Sequence, residues 1–97
     1  MSTITPKEKL YYLLKTYSKA EYDTKTFSDQ FSYIYYLKSG NEIFTDVEKE
    51  AFEALAIVTD RFSPYEEDLK IPNAYFNEEE VREKVKEVLK KLNVIID

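Results

Sequence analysis

The chain of 97 residues contains no cysteine and no histidine. Without cysteine it can form neither a disulfide framework nor a thiolate zinc site. Without histidine it lacks the commonest metal ligand and the commonest acid–base group at neutral pH. These absences argue against most hydrolase and metalloenzyme classes. We therefore expect a protein that is not an enzyme and that uses neither a metal nor any other cofactor.

Long apolar runs and glycines are also scarce. No stretch approaches the roughly 18 apolar residues of a membrane span, and the polar start MSTITPKEK lacks the apolar segment of a signal peptide. This pattern predicts a cytoplasmic protein. The length suits a single domain over residues 1–97. A hydrophobic fraction of 43% with one glycine favours helices over a turn-rich β architecture.

Capping patterns and apolar periodicity predict an all-α fold, an antiparallel four-helix bundle. Ser, Thr, Asp or Asn stands before each apolar stripe, often with glutamate three residues later. The predicted starts are Thr5, Asp23 or Thr24, Thr45 and Asn77. The second helix should end before Gly40, and Leu37 and Val47 are assigned to inward stripes. The predicted core contains Phe31, Ile34, Leu55, Val58, Phe62, Val85 and Leu92.

The connector between the third and fourth helices is longer than the usual two to eight residues of helical bundles. Within this connector, Ser63 begins a further helix-capping pattern, which predicts one extra helical turn from Pro64 to Leu69. Leu69 and Ile71 are expected to attach this turn to the core. The last apolar residues, 94–96, fit either a continued helix or a short strand.

Charge is unevenly distributed along the chain. The net charge is −5 overall, but residues 42–80 carry twelve acids and three bases, a net charge of −9. Such a concentrated anionic segment repels nucleic-acid phosphate and attracts cationic partners. We therefore expect no direct binding of nucleic acid and no membrane or small-molecule ligand, but a basic protein partner.

The nine tyrosines are unusually many for this length. Tyr11–Tyr12 and Tyr35–Tyr36 are adjacent pairs, so on a helix one member of each can pack inward while the other stays at the margin. Tyr65 and Tyr75 differ, because they flank an acidic turn in a surface connector. Exposed tyrosine beside carboxylates is typical of a protein-binding anchor.

The acidic residues around that turn are the main candidates for a binding site. Glutamates at a helix start have an ordinary stabilising role, which accounts for residues 78–80. In contrast, Asp60, Glu66, Glu67 and Asp68 crowd like charges together at a cost in free energy that a cationic partner would offset. None of these carboxylates has the spacing of a calcium loop, and none has the isolated, paired arrangement of a glycosidase site.

The run DRFSPYEEDLKIPNAYFNEEEVREKV resembles the signature region of the colicin-D-type immunity proteins, which also protect bacteria against contact-dependent growth-inhibition toxins. The resemblance extends over residues 44–90. It implies a helical bundle that binds a cognate ribonuclease toxin domain, often a tRNase, and blocks the active site with an acidic surface. Carried onto this sequence, that surface corresponds to Asp60, Glu66, Glu67 and Asp68, with Glu53 as a further candidate.

Two other functions fit the same residues. One is a structural or regulatory helical domain that assembles with itself or with another basic protein. The other is a small-molecule enzyme, which would need a deep polar pocket. A basic toxin domain encoded directly upstream would favour the immunity hypothesis over both.

Overall fold

The structure, a computed structural model, describes residues 5–72 and 74–94. Within these residues the regular structure is helical, which confirms the predicted all-α class, and no strand is present apart from an isolated backbone bridge. In the same residues, no helix has both the length and the apolar character needed to cross a membrane. The helices are α1 (Pro6–Ser18), α2 (Thr24–Tyr33), α3 (Asp46–Asp60), α4 (Glu66–Leu69) and α5 (Glu78–Lys91), and a π-helical segment (Ile34–Lys38) continues α2.

The helix starts lie where the capping patterns predict them. At each start a side-chain oxygen accepts a hydrogen bond from the backbone amide three residues later. These side chains belong to Thr5, Asp23, Thr45 and Asn77. In α3 and α5 the glutamate of the capping box also accepts from the backbone amide of the capping residue. Local hydrogen bonding therefore determines where the four longer helices begin.

The core lies where α3 packs against both α2 and α5, with α1 covering α2 and α5. Aromatic rings occupy much of it: Phe27, Phe31 and Phe52 are fully buried, and Tyr17 stacks on Phe27 with ring centroids 4.3 Å apart. Five predicted core residues are confirmed as buried. They are Phe31, Ile34, Leu55, Val58 and Val85.

Two predicted core residues, Phe62 and Leu92, are only half-buried and lie at the edge of the core. Phe62 comes two residues after Asp60, the last residue of α3. Leu92 comes directly after Lys91, the last residue of α5. Because the helical period ends before them, the apolar stripe no longer directs their side chains into the centre. These two residues therefore pack against the core from its edge, whereas the sequence predicts them within it.

The predicted inward position of Leu37 is also wrong, since its side chain is 70% exposed. Leu37 belongs to the π-helical segment, in which hydrogen bonds span five residues instead of four. The extra residue per turn shifts the inward face, so that Ser39 is buried five residues after Ile34. The Ser39 hydroxyl donates a hydrogen bond to the backbone carbonyl of Tyr35.

Each adjacent tyrosine pair divides as predicted. Tyr11 and Tyr35 are half-buried against the core, whereas Tyr12 and Tyr36 are more than half-exposed. Of the nine tyrosines, five are exposed and one is buried. The other three fill the margin of the small core: Tyr11, Tyr22 and Tyr35.

Val47 is half-exposed, although the sequence predicts it on the inward stripe of α3. The buried stripe is instead centred on Glu48, Phe52, Leu55 and Thr59. Apolar spacing nevertheless identifies Leu55 and Val58 correctly as buried residues of α3. The prediction fails at Val47 because the inward residue of the first turn is polar. Glu48 is only 7% exposed and takes the inward position that Val47 was expected to hold.

Glu48 joins the beginning of α3 to α1. Its carboxylate accepts hydrogen bonds from the Tyr11 hydroxyl and from the Thr45 amide, and it pairs with the Lys7 ammonium at 2.8 Å. Burial alone would raise the pKa of Glu48. The hydrogen bonds from Lys7, Tyr11 and Thr45 outweigh burial and lower that pKa to about 2. The pKa of the Tyr11 hydroxyl is raised, first by its own burial and then by the neighbouring carboxylate.

This lowered pKa predicts acid-sensitive stability. A carboxyl group whose pKa falls on folding stabilises the native state fully above its unfolded pKa, and the stabilisation disappears as the pH falls toward the folded value. Glu48 should therefore contribute about 3 kcal/mol at neutral pH, and this contribution should be lost between about pH 4.5 and pH 2. Urea unfolding of the wild type and of Glu48→Gln across that range measures the loss.

Glu50→Gln is the matched control, because Glu50 is an exposed residue of the same helix and pairs with Lys91 only at the surface. The two variants should differ clearly at pH 7 and converge near pH 2. Equal stability of both variants at pH 7 would show that the buried carboxylate does not stabilise the fold.

Ala20 ends α1 in an unfavourable backbone conformation, with a φ of 62°. The Glu21 amide donates to the Thr16 carbonyl and the Ala20 amide donates to the Tyr17 carbonyl, a Schellman motif whose left-handed position is usually glycine. Ala20→Gly should therefore stabilise the protein by about 0.5–1 kcal/mol. Thermal unfolding should show a rise in Tm, whereas Ala54→Gly inside α3 should lower it. An unchanged or lower Tm for Ala20→Gly would contradict this account.

Candidate protein-binding surface

The connector between α3 and α5, residues 61–77, is closed at its base. The Ser63 amide donates to the Phe76 carbonyl at 3.0 Å, and the Phe76 amide donates to the Arg61 carbonyl at 2.8 Å. These bonds form a parallel bridge between Phe62 and Phe76. The bridge brings two candidate residues that are distant in sequence, Asp60 and Tyr75, to the same end of the connector.

The predicted extra helical turn is present as α4, but it begins at Glu66 instead of Pro64. Because the Ser63 amide is held in the bridge, the chain stays extended through Tyr65. The buried Ser63 hydroxyl accepts from the Tyr65 amide at 3.2 Å and donates to the Asp68 carboxylate at 2.7 Å. Asp68 therefore stabilises the conformation of the turn through this hydrogen bond. This structural role is separate from the negative charge that Asp68 adds to the connector.

Leu69 and Ile71 differ in how they attach the turn to the core. Leu69 is half-buried and lines a groove of about 410 Å³ between the connector and the beginnings of α2 and α5. Ile71 is 50% exposed, so its predicted packing role is wrong. The chain turns after α4, where the Ile71 amide donates to the Asp68 carbonyl, and this turn directs the Ile71 side chain outward.

Glu66 and Glu67 are exposed on α4, directly after Tyr65, whose side chain is 65% exposed. Asp60 is exposed as the last residue of α3, where a carboxylate opposes the helix dipole. Tyr75 is 41% exposed. The structure thus places these candidate residues at the surface, with their polar atoms in contact with solvent.

Within the described residues, the connector carboxylates take no part in ion pairs, as is also true of other acids such as Glu8, Glu21 and Glu79. Residues 5–72 and 74–94 contain six ion pairs, and none of them includes a candidate acid. The six paired acids lie in α2, α3 and α5, and one of them is Glu78, which pairs with Arg82. The connector acids therefore present negative charge that no base within the described residues neutralises by direct contact.

Lys25 is a neighbour of this surface that sequence reasoning missed. Its ammonium pairs with Asp29 at 2.9 Å. The pKa of Lys25 is raised, first by Asp29 and to a smaller degree by the nearby Tyr65 hydroxyl. Lys25 lies at the beginning of α2, forty residues before Tyr65 in sequence. Only the tertiary fold brings the two together, so no local pattern could have indicated it.

Glu53 is separate from the connector acids. It is exposed on α3 two turns before Asp60, about 10 Å away along the helix axis. Its carboxylate lies near Tyr35, whose pKa is raised first by burial and then by Glu53. A partner that contacts both Glu53 and the connector must therefore extend along α3.

The chemistry available to this surface is electrostatic and apolar contact. Within the described residues, no group of three or more acidic side chains is arranged to hold a metal ion. The exposed carboxylates can accept hydrogen bonds from lysine or arginine, and the exposed tyrosines can cover the aliphatic part of such side chains.

Comparisons of the chain with protein-family models, with curated proteins and with solved structures found no match. A functional hypothesis for the protein therefore depends on the connector surface and on the sequence resemblance described above.

Proposed function

We propose that this protein is an immunity protein that binds and neutralises a cognate bacterial ribonuclease toxin domain, a tRNase, in the cytoplasm. In this proposal the protein is not an enzyme and uses no cofactor. The four longer helices form an antiparallel four-helix bundle, and the connector carries the inhibitory surface.

The observation that carries the proposal is the unpaired acidic charge on the connector. Asp60, Glu66 and Glu67 are exposed, and they make no ion pair within the described residues. Exposed tyrosines at positions 65 and 75 accompany them. Aromatic side chains that are exposed in the free protein and become buried in the complex are typical anchors of high-affinity protein interfaces.

The proposed mechanism is competition with RNA for a basic active site. A ribonuclease that binds tRNA presents lysine and arginine side chains to the phosphates. Carboxylates of the connector would occupy those cationic positions and exclude the substrate. Opposite charges on the two proteins would also accelerate their encounter, an effect that weakens as the salt concentration rises.

Co-expression tests this function in cells. The gene directly upstream should encode a toxin with a basic carboxyl-terminal domain. Expression of that domain alone should stop bacterial growth, and co-expression with this protein should restore it. Arrested growth in the presence of the folded protein would contradict the proposal.

A second candidate function is a regulatory domain that binds itself or another basic protein. Exposed apolar side chains near the turn between the π-helical segment and α3 favour it. They are Tyr36, Leu37, Ile43 and Val47. Sedimentation equilibrium discriminates the two, because self-association through these residues would raise the apparent mass with concentration, whereas the immunity protein can be monomeric.

A further inference from the structure

A second acidic feature lies beside the connector, in a groove between α3 and α5. The groove has a volume of about 390 Å³. Its floor is apolar, formed by the buried Val58 of α3 and the half-buried Phe76. Glutamates of α5 form its rim, together with Lys84. They are Glu79, Glu80, Glu83 and Glu87.

The four glutamates are not equally available. Glu80 accepts a hydrogen bond from the backbone amide of Asn77 in the capping box. Glu87 pairs with the Lys84 ammonium at 3.0 Å. Glu83 has only a longer contact, 3.5 Å, with the exposed Lys86. Glu79 makes no side-chain hydrogen bond or ion pair within the described residues. The carboxylates of Glu79 and Glu83 therefore remain available to a ligand.

An apolar floor with an acidic rim has a specific chemical complement. A long side chain with an aliphatic stem and a cationic head can place its stem on the floor and its head among the carboxylates. Arginine fits this description better than lysine, because its planar guanidinium donates several hydrogen bonds in fixed directions and loses less hydration. The volume is near the lower end of binding-site sizes, about 300–1,000 Å³, which suits individual side chains.

We infer that the groove between α3 and α5 is a docking site for an arginine side chain of the basic protein partner. The inference depends on the proposed function for the identity of that partner. It adds a second contact, since the acidic rim lies on α5 and the connector acids lie on α4 and at the end of α3. The shared residue Phe76, which forms both the groove floor and the connector bridge, places the two contacts next to each other.

A peptide titration tests the groove without any toxin. The probe is a tri-arginine peptide blocked at both ends, and the matched probe replaces each arginine by neutral citrulline. Amide and methyl NMR shifts should change in a saturable way for Val58, Phe76, Glu79 and Glu83 with the arginine peptide. The citrulline peptide should cause no comparable shifts.

Variants then separate the groove from general acidity. Glu79→Gln with Glu83→Gln should weaken arginine-peptide binding about tenfold, the effect of roughly 1.4 kcal/mol. Glu21→Gln with Glu50→Gln removes the same charge at exposed positions elsewhere and should leave the titration unchanged. Equal weakening by both double variants, or shifts centred on the connector instead, would overturn the inference.

The titration and the growth assay distinguish failure of the groove from failure of the proposed function. Saturable binding in the groove without rescue of growth would contradict the immunity function while supporting the docking site. Rescue of growth without peptide binding in the groove would contradict the docking site alone.

Discussion

Replacing Glu66 and Glu67 together by glutamine is expected to abolish protection from the toxin while leaving the fold intact. Both side chains are exposed and unpaired within the described residues, so the native state loses no ion pair. In the complex, each should face a cationic side chain of the nuclease. Loss of one partner from a buried charge pair at an interface costs about 2–5 kcal/mol. Even the lower value corresponds to a loss of affinity of about thirtyfold.

Calorimetric titration against the purified toxin domain measures this loss, and thermal melts in parallel measure stability. The matched control is Glu21→Gln with Glu50→Gln, which removes the same charge outside the connector. Undiminished affinity of the connector variant would mean that the acidic turn is not the inhibitory surface. Asp68 is unsuitable for this test, because its hydrogen bond from Ser63 holds the turn.

Leu55→Ala is expected to cause a large loss of stability, about 2–5 kcal/mol. Leu55 is completely buried in α3, the helix that packs against both α2 and α5. Truncation of its side chain removes apolar contacts and leaves a cavity that the surrounding core side chains cannot fill without moving. Urea unfolding followed by circular dichroism measures the change in the free energy of unfolding.

Ile57→Ala is the matched control for this core variant. Ile57 lies two residues away in the same helix, but its side chain is 45% exposed. Its truncation should therefore cost much less than truncation of Leu55. Similar costs at the two positions would contradict the described orientation of α3.

Helix starts could be predicted from the sequence because their causes are local. The capping residues Thr5, Asp23, Thr45 and Asn77 bond to amides only three residues away. The general division of apolar and polar faces is similarly local. These short-range patterns therefore sufficed to predict the all-α class, which the structure confirms.

The departures from prediction have tertiary or backbone causes. Glu48 is buried because Lys7 and Tyr11 of another helix satisfy its carboxylate, and no spacing rule indicates such a partner. The π-helical segment shifts the inward face at Leu37 by adding a residue to the turn. The bridge between Phe62 and Phe76 delays α4 by two residues.

For the candidate surface, the sequence predicts which residue types are present but not how they are arranged in space. Acid crowding and exposed tyrosine are visible in the sequence at residues 60–75. Lys25 beside Tyr65, the structural role of Asp68 and the groove under Glu79 all depend on how separate elements pack. Helix and strand were both open for residues 94–96. Val94 lies in neither, and residues 95 and 96 lie outside the described part of the chain.

Inhibition of RNA cleavage tests the central claim most directly. The basic carboxyl-terminal domain encoded upstream is purified, and its cleavage of tRNA is measured while this protein is added in increasing amounts. Cleavage should fall to background at one molecule of this protein per toxin domain and should recover when the connector variant Glu66→Gln, Glu67→Gln is used instead. Undiminished cleavage in the presence of excess folded protein would contradict the account.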